Sequence, residues 1–244
     1  MSNSTETAMQ LEICASNIQS AVNARLAGAD RIELCSALGI GGITPSCGAV
    51  EYSCALSGIE TFVLIRPREG DFNYDEDEIR IMKSDIETAV KAGANGLVIG
   101  ALDSTHAIDL KTTQSLIDAA CGLPITFHRA FDQVADPFTA LDQLIELKVS
   151  RVLTSGMATT AVEGSALLYK LVEHAAGEIS IMPGAGINAK NIAQLASETG
   201  AKEFHLSATK RLNKAEYLLS MGQLLVSDME EIKDVKTTLK NLTT

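Results

Sequence analysis

Two nearly identical words, LEIC over residues 11–14 and IELC over 32–35, each set a carboxylate two positions before a thiol inside an apolar run. A buried acid is costly unless something pairs with it, so Glu12 with Cys14 and Glu33 with Cys35 mark positions where chemistry is to be expected. Side chains alternate along a strand, which places each acid and its thiol on one side of its own strand. If both strands aim these residues into a shared interior, two thiols stand at one mouth, about 5 Å apart between backbones, over two carboxylates a layer below. Paired thiolates suit a soft ion, Cu(I) above all. If the same residues instead face helices, Cys14 and Cys35 are small core hydrophobes, free cysteine being among the most buried residue types. No Cys-x-x-Cys spacing is present, and two ligands are fewer than the three or four of a zinc site.

The remaining residues that could do chemistry fall at the ends of apolar runs. IRPREGD carries Arg66, Arg68 and Asp71, and FHRAFD carries His128, Arg129 and Asp132. LTSG carries Ser155, PGAG carries Gly184 and Gly186, and FHLSA carries His205 and Ser207. His128 with Arg129 and Asp132 suits an acid/base group or an anion clamp, or a hydrogen-bonded structural network. PGAGIN and HLSATK have the small residues that let backbone N–H groups reach a phosphate, with Asn188 able to cap the following helix; glycine in such turns also has a purely steric use. Arg66, Arg68 and Asp71 can hold an anionic ligand or only one another. His205 alone on a strand is as readily structural, His106 is a solvated loop residue, and His174 suits the C-terminal end of a helix.

Positioning these residues takes a particular set of elements. Short β-branched or apolar runs begin near Gln10, Asp30, Thr61, Asn95, Pro124, Ser150, Glu178 and Glu203, with starts 20 to 34 residues apart. Amphipathic segments long enough for a crossover helix separate them, the signature of repeated βα units in a parallel sheet. Ser16 can cap the first helix, whose apolar face runs Ile18, Val22, Leu26; Asp75 opens another with Ile79, Met82, Ile86 and Val90 on one side. Asp136 and Pro137 form an N-cap and N1 pair, and AGAD, KAGAN and ETGAK place glycine just past three helices. Met229 to Leu242 reads as a closing helix. Eight such units without a linker predict a single-domain (β/α)8 TIM barrel over 10–244 behind a flexible tail at 1–9, in preference to an open doubly wound sheet. In that fold the candidate residues all fall at the C-terminal mouth.

Hydrophobic residues make up 46% and charged residues 21% of the 244, enough for a sizeable core. The net charge of −11 opposes phosphate backbones and anionic membranes, so neither nucleic acid nor a membrane is an expected partner. No run approaches the roughly 18 apolar residues of a span, and the N-terminal segment has no signal-peptide pattern. Five cysteines, an odd number, without such a signal read as reduced thiols in an intracellular protein.

LEIC, ADRIELC, GGITPS, IRPREGDF, GANGLVIGAL, TFHRAFD, RVLTSG, PGAGI and EFHLSA, in this order, resemble the CutC copper homeostasis family from Leu11 to about Ala208. The resemblance implies a TIM barrel, cytoplasmic and in eukaryotic members also nuclear, usually a homo-oligomer, associated with copper tolerance. It also implies Cu(I) as the bound ion, since two cysteines proposed as ligands in animal members fall on Cys14 and Cys35. Past Ala208, KRLNKAEYLLSMGQLL is shorter than the family's usual loop, so a lid or subunit contact there is not carried over.

Two functions are therefore expected. In the first, Cys14 and Cys35 bind the copper ion, with Glu12 and Glu33 as pocket groups. In the second, the mouth is an enzyme site for a small anionic or phosphorylated metabolite, Arg66 and Arg129 holding charge and His128 or a glutamate moving protons. An interaction scaffold would need a large exposed apolar patch, of which the sequence has no sign.

Overall fold

The computed structural model describes residues 8–212 and 223–242. The expected tail at 1–9 lies outside it over residues 1–7, and most of the loop after the eighth strand lies outside it over 213–222. Eight strands form one parallel sheet: β1 (Gln10–Ala15), β2 (Arg31–Leu34), β3 (Glu60–Leu64), β4 (Gly96–Ile99), β5 (Ile125–Phe127), β6 (Arg151–Thr154), β7 (Ser180–Pro183) and β8 (Glu203–Leu206). Their order is β7-β6-β5-β4-β3-β2-β1-β8, and β7 lies against β8 to bring the ends round into a barrel. The helices are α1 (Ile18–Leu26), α2 (Cys47–Cys54), α3 (Glu76–Lys91), α4 (Leu110–Ala119), α5 (Pro137–Glu146), α6 (Ser165–Ala175), α7 (Ile192–Thr199) and α8 (Met229–Leu242). The predicted (β/α)8 barrel is the fold, and each strand begins within two residues of its predicted start.

Two alternating sets of side chains give the strands their burial on both faces. Leu11, Ile13, Ile32, Leu34, Val63, Ile65, Leu97, Ile99, Val152 and Phe204 join one cluster with Met82, Ile86, Leu141, Leu144, Leu168 and Leu195 of the helices. That cluster is the core between sheet and helices, and the opposite parity points inwards. Helix starts follow their capping chemistry. Asp75 and Glu78 form a reciprocal capping box on α3, and Asp136 caps α5 ahead of Pro137. Gly28, Gly93 and Gly200 take the left-handed conformation that ends α1, α3 and α7.

Three local expectations are corrected. The cap of α1 is Asn17, not Ser16, its Oδ1 accepting from the Ser20 amide at 2.9 Å. The buried residues of α1 are Ala21 and Ala24, in the core, and Ser20, against a hairpin on the helix's flank, while Ile18 and Val22 are half-buried and Leu26 is exposed. That hairpin, β9 (Thr209–Arg211) with β10 (Leu225–Ser227), follows β8. Asn17 and Asn23 donate to the carbonyls of Leu225 and Ser227 at 2.8 Å each, and the Ser227 amide donates to Ser20 Oγ. Asn188 does not cap α7: its Oδ1 accepts from the Lys190 amide, and Asn191 Oδ1 accepts from the Asn188 amide, locking the turn before the helix. Finally α8 closes the barrel, burying Ile232, Val235 and Leu239 and pairing Lys236 with Asp30.

Candidate functional site

The barrel interior is built upward from a charged floor. Arg31 on β2 is fully buried and donates through Nε to Glu12 Oε2 at 2.5 Å and through Nη2 to Glu203 Oε2 at 2.7 Å. Arg151 on β6 donates to the same Glu203 oxygen at 3.0 Å. Both guanidiniums lie over the Phe62 ring, at 4.8 and 4.9 Å. These residues come from opposite sides of the sheet and can meet only inside the barrel. Two cations and two carboxylates balance, the condition under which buried charge is tolerated. Gly96 makes the arrangement fit, since a Cβ there would sit 2.3 Å from Phe62 Cε2.

His205 on β8 stands above the floor, its Nδ1 2.7 Å from Glu12 Oε1. Burial works against charge on Glu12, yet Arg31 and then His205 outweigh it and hold the carboxyl down at about 2. The ionised Glu12 accepts, so His205 Nδ1 carries the proton. Burial also opposes charge on His205, and the Glu12 hydrogen bond with the Glu33 charge reverses that and raises it. Glu33 is pushed the other way, to about 7, by burial with Glu12's negative charge assisting, against the pull of His205. Its Oε2 is buried with no partner.

The thiols sit at this level and above it, inside the barrel rather than under the helices. Cys14 and Cys35 have Sγ atoms 3.7 Å apart, and Cys14 Sγ lies 3.7 Å from Glu33 Oε1. Leu64 and Val98 pack around them. The expected layering is corrected by register: Cys14 is level with Glu33, and Glu12 with Arg31, so the two acids occupy different layers and Cys35 rises one step above Cys14. Strand stagger in a closed barrel has this effect. The hydrogen bond to Cys35, then burial, then the charge of Glu33 push the Cys14 thiol well above its usual range. Cys14, Glu33 and Cys35 offer ligand atoms all within 4.8 Å of one another; so do Glu12, Glu33 and His205, but two of that second set are already bonded to each other.

A mouth cavity of about 890 Å³ opens over this layer. Of the residues singled out from the sequence, Cys14, Glu33, Arg66, His128, Arg129, Asp132, Gly186, His205 and Ser207 line it; Glu12, Cys35, Asp71, Ser155 and Gly184 do not. Asp132 has no free lone pair for acid–base work: it accepts from Thr154 Oγ1 (2.5 Å), the Ser155 and Met157 amides, Ser155 Oγ and Arg129 Nε (2.7 Å). It ties the β5–α5 turn to the β6–α6 loop. Arg129 reaches Ser155 Oγ as well, at 3.0 Å. Asp71 is turned to Arg68 on the surface, and Arg68 is paired with Glu78. Gly184 is packed on Leu153, where a Cβ would come within 2.6 Å of Cδ1. His128 is held neutral, near 3, by burial and then by the charge of Arg66, which removes it as a proton acceptor. In the loop after β7 the Ala189 amide already donates to Glu231 Oε1 at 2.7 Å, so a carboxylate of the chain itself takes a position where an anion was expected. His106 is exposed in its loop, and His174 lies in the last turn of α6, paired with Asp142.

A family model for the CutC family matches residues 9–210. The chain belongs to the CutC family. A family protein CutC from Glaesserella parasuis is 44% identical over 232 residues, covering 95% of this chain and 96% of that one. The human copper homeostasis protein cutC homolog is 43% identical over 244 residues, covering 95% and 89%. The crystal structure of a CutC protein from Streptococcus agalactiae superposes with a TM-score of 0.78 at 37% identity, over 82% of this chain and 98% of that one.

The residues the sequence reading missed are those that hold the candidate site from below and from the side. Arg31 was legible by parity, since it alternates with Glu33 and Cys35 along one strand face. Arg151 and Glu203, at the starts of their strands, read as ordinary surface charges. Phe72 carries no chemical signal of its own, yet its ring packs against both Arg66 and His128.

Proposed function

We propose that the chain serves copper homeostasis by holding Cu(I) between Cys14 and Cys35, with the Glu33 carboxylate as a third donor. The observation that carries this reading is the 3.7 Å separation of two buried thiols on adjacent strands, with a carboxylate oxygen 3.7 Å from one of them. A metal–thiolate bond of about 2.3 Å makes that separation subtend about 107° at the ion, an angle of three- or four-coordinate rather than linear binding. Thiolates select Cu(I) over harder ions. The surroundings withhold a thiolate from the pair until a metal binds, because the hydrogen bond to Cys35, burial and Glu33 all oppose negative charge on Cys14. Binding therefore displaces protons, and the site works in a reducing compartment that keeps the pair as thiols.

The test is a count of protons released when Cu(I) is added without oxygen near pH 7. About two thiol protons per ion plus about half a proton from Glu33, which is raised to about 7, are expected with a new thiolate-to-copper ultraviolet band, and both signals vanish in Cys14→Ser/Cys35→Ser. Equal proton release by native protein and double variant would place the ion elsewhere.

A further inference from the structure

Two hydrogen-bond donors beside the mouth have nothing to donate to. Arg66 gives Nη1 to the carbonyls of Ile40 and Gly42, at 3.1 and 2.8 Å, and Nη2 to that of Gly70 at 2.9 Å, while its Nε is buried without a partner. His128 accepts from the Ala130 amide through Nδ1 at 3.1 Å, which puts the proton of the neutral ring on Nε2, and Nε2 too is buried without a partner. Buried donors are almost always satisfied, so two of them on residues packed against one ring call for an acceptor. That ring is Phe72, 5.1 Å from the Arg66 guanidinium carbon and 4.9 Å from the His128 centroid. Both residues are 6% exposed and both line the cavity.

Charge points the same way. Among the described residues lining the cavity, Arg129 is paired with Asp132 and Lys210 with Asp228, whereas Arg66 meets carbonyls, the Phe72 ring and the Tyr74 side chain and has no carboxylate. A buried guanidinium without a counter-charge is expensive, and a ligand that brings one is bound correspondingly well. The cavity, at about 890 Å³, is far larger than a metal ion needs and falls among small-molecule sites.

We infer that Arg66 and His128 receive the anionic group, carboxylate or phosphate, of a small organic ligand bound in the mouth cavity. The ligand oxygens take the Arg66 Nε and His128 Nε2 protons, with the Phe72 ring turning aside to admit them. This lies at the ends of β3 and β5, away from the loop after β7 whose amide Glu231 already occupies. It is independent of the copper reading, since neither residue touches the thiols.

Thermal unfolding of the full chain in sodium phosphate, in sodium malonate and in sodium chloride of matched ionic strength tests it. One of the two anions is expected to raise Tm over chloride in a saturable manner, and the larger response identifies the acidic group as phosphate or carboxylate. His128→Asn keeps an acceptor for the Ala130 amide but lacks the Nε2 donor; Arg66→Lys keeps the charge but lacks the Nε donor. Each should weaken the apparent affinity about tenfold, with Tm in chloride reporting that the variant folds. Should Arg66→Lys fail to fold, His128→Asn decides alone. No saturable response of the native protein at tens of millimolar anion, or a native response left unchanged by the variants that fold, overturns the assignment.

Discussion

Glu12 and Glu33 occupy the same place in two nearly identical words, yet their surroundings drive them to opposite protonation states. Glu12 has Arg31 and His205; Glu33 has neither as a direct partner and keeps a bare Oε2. With Glu12 lowered from 4.5 to about 2, its pairing stabilises the fold at neutral pH by on the order of 3 kcal/mol, a contribution present above pH 4.5 and lost as pH falls toward 2. Glu12→Gln should therefore lose several kcal/mol at pH 7 by denaturant titration and show a flatter acid limb than the native protein. Glu33 carries the reverse sign. Its value is raised from 4.5 to about 7, so in the metal-free protein stability declines as pH rises across that window and levels off above it. Glu33→Gln should match the native protein near pH 4.5 and exceed it by about 3 kcal/mol at pH 8; a constant difference at all pH values would refute the role given to burial. At this scale the sequence made the shared parity of acid and thiol readable. It could not separate the two acids, because that difference is set by the stagger between β1 and β2 and by residues of β8.

At the scale of elements, local chemistry decided what was readable. Asp75 and Asp136 cap the helices they were expected to cap because an N-cap bond closes within three residues. The face of α1 was misjudged because it answers to a strand some two hundred residues away in sequence. Asn17 serves both ends of that link, capping α1 through Oδ1 and donating through Nδ2 to the Leu225 carbonyl. Asn17→Ala should cost about 1–2 kcal/mol, while Asn17→Asp keeps the cap but replaces the hairpin bond with a carboxylate oxygen facing the Leu225 carbonyl. Protection of the Leu225–Ser227 amides in hydrogen exchange, measured in both variants, separates the two contributions. The β5 end is equally constrained: a Cβ at Gly100 would lie 2.4 Å from His128 Cε1. Gly100→Ala should destabilise by about 1–3 kcal/mol and turn the imidazole out of its seat against the Ala130 amide, visible as a rise in the His128 titration midpoint by NMR.

For the whole molecule, the count of eight units was enough to reach the barrel, since the period of βα repeats is written in hydrophobic runs and their separators. Which polar residues meet was less legible, because barrel closure brings β2, β6 and β8 together over Phe62 and no local pattern records that. The two cysteines, 21 residues apart, need no closure: direct pairing of β1 with β2 brings their sulfurs into contact. Among the described residues no helix is long and apolar enough to cross a membrane. Whether this pair holds Cu(I), as proposed, is decided by an oxygen-free competition titration against a Cu(I) chelator. Native protein, Cys14→Ser/Cys35→Ser and the exposed-thiol control Cys47→Ser/Cys121→Ser are compared between pH 6 and 8. One ion per chain in native and control, an affinity rising about 100-fold per pH unit above about pH 7 as two thiol protons are displaced and more steeply below it as the Glu33 proton leaves too, and no competition by the double variant are predicted. Binding that survives loss of Cys14 and Cys35, or falls with the exposed thiols instead, would contradict it.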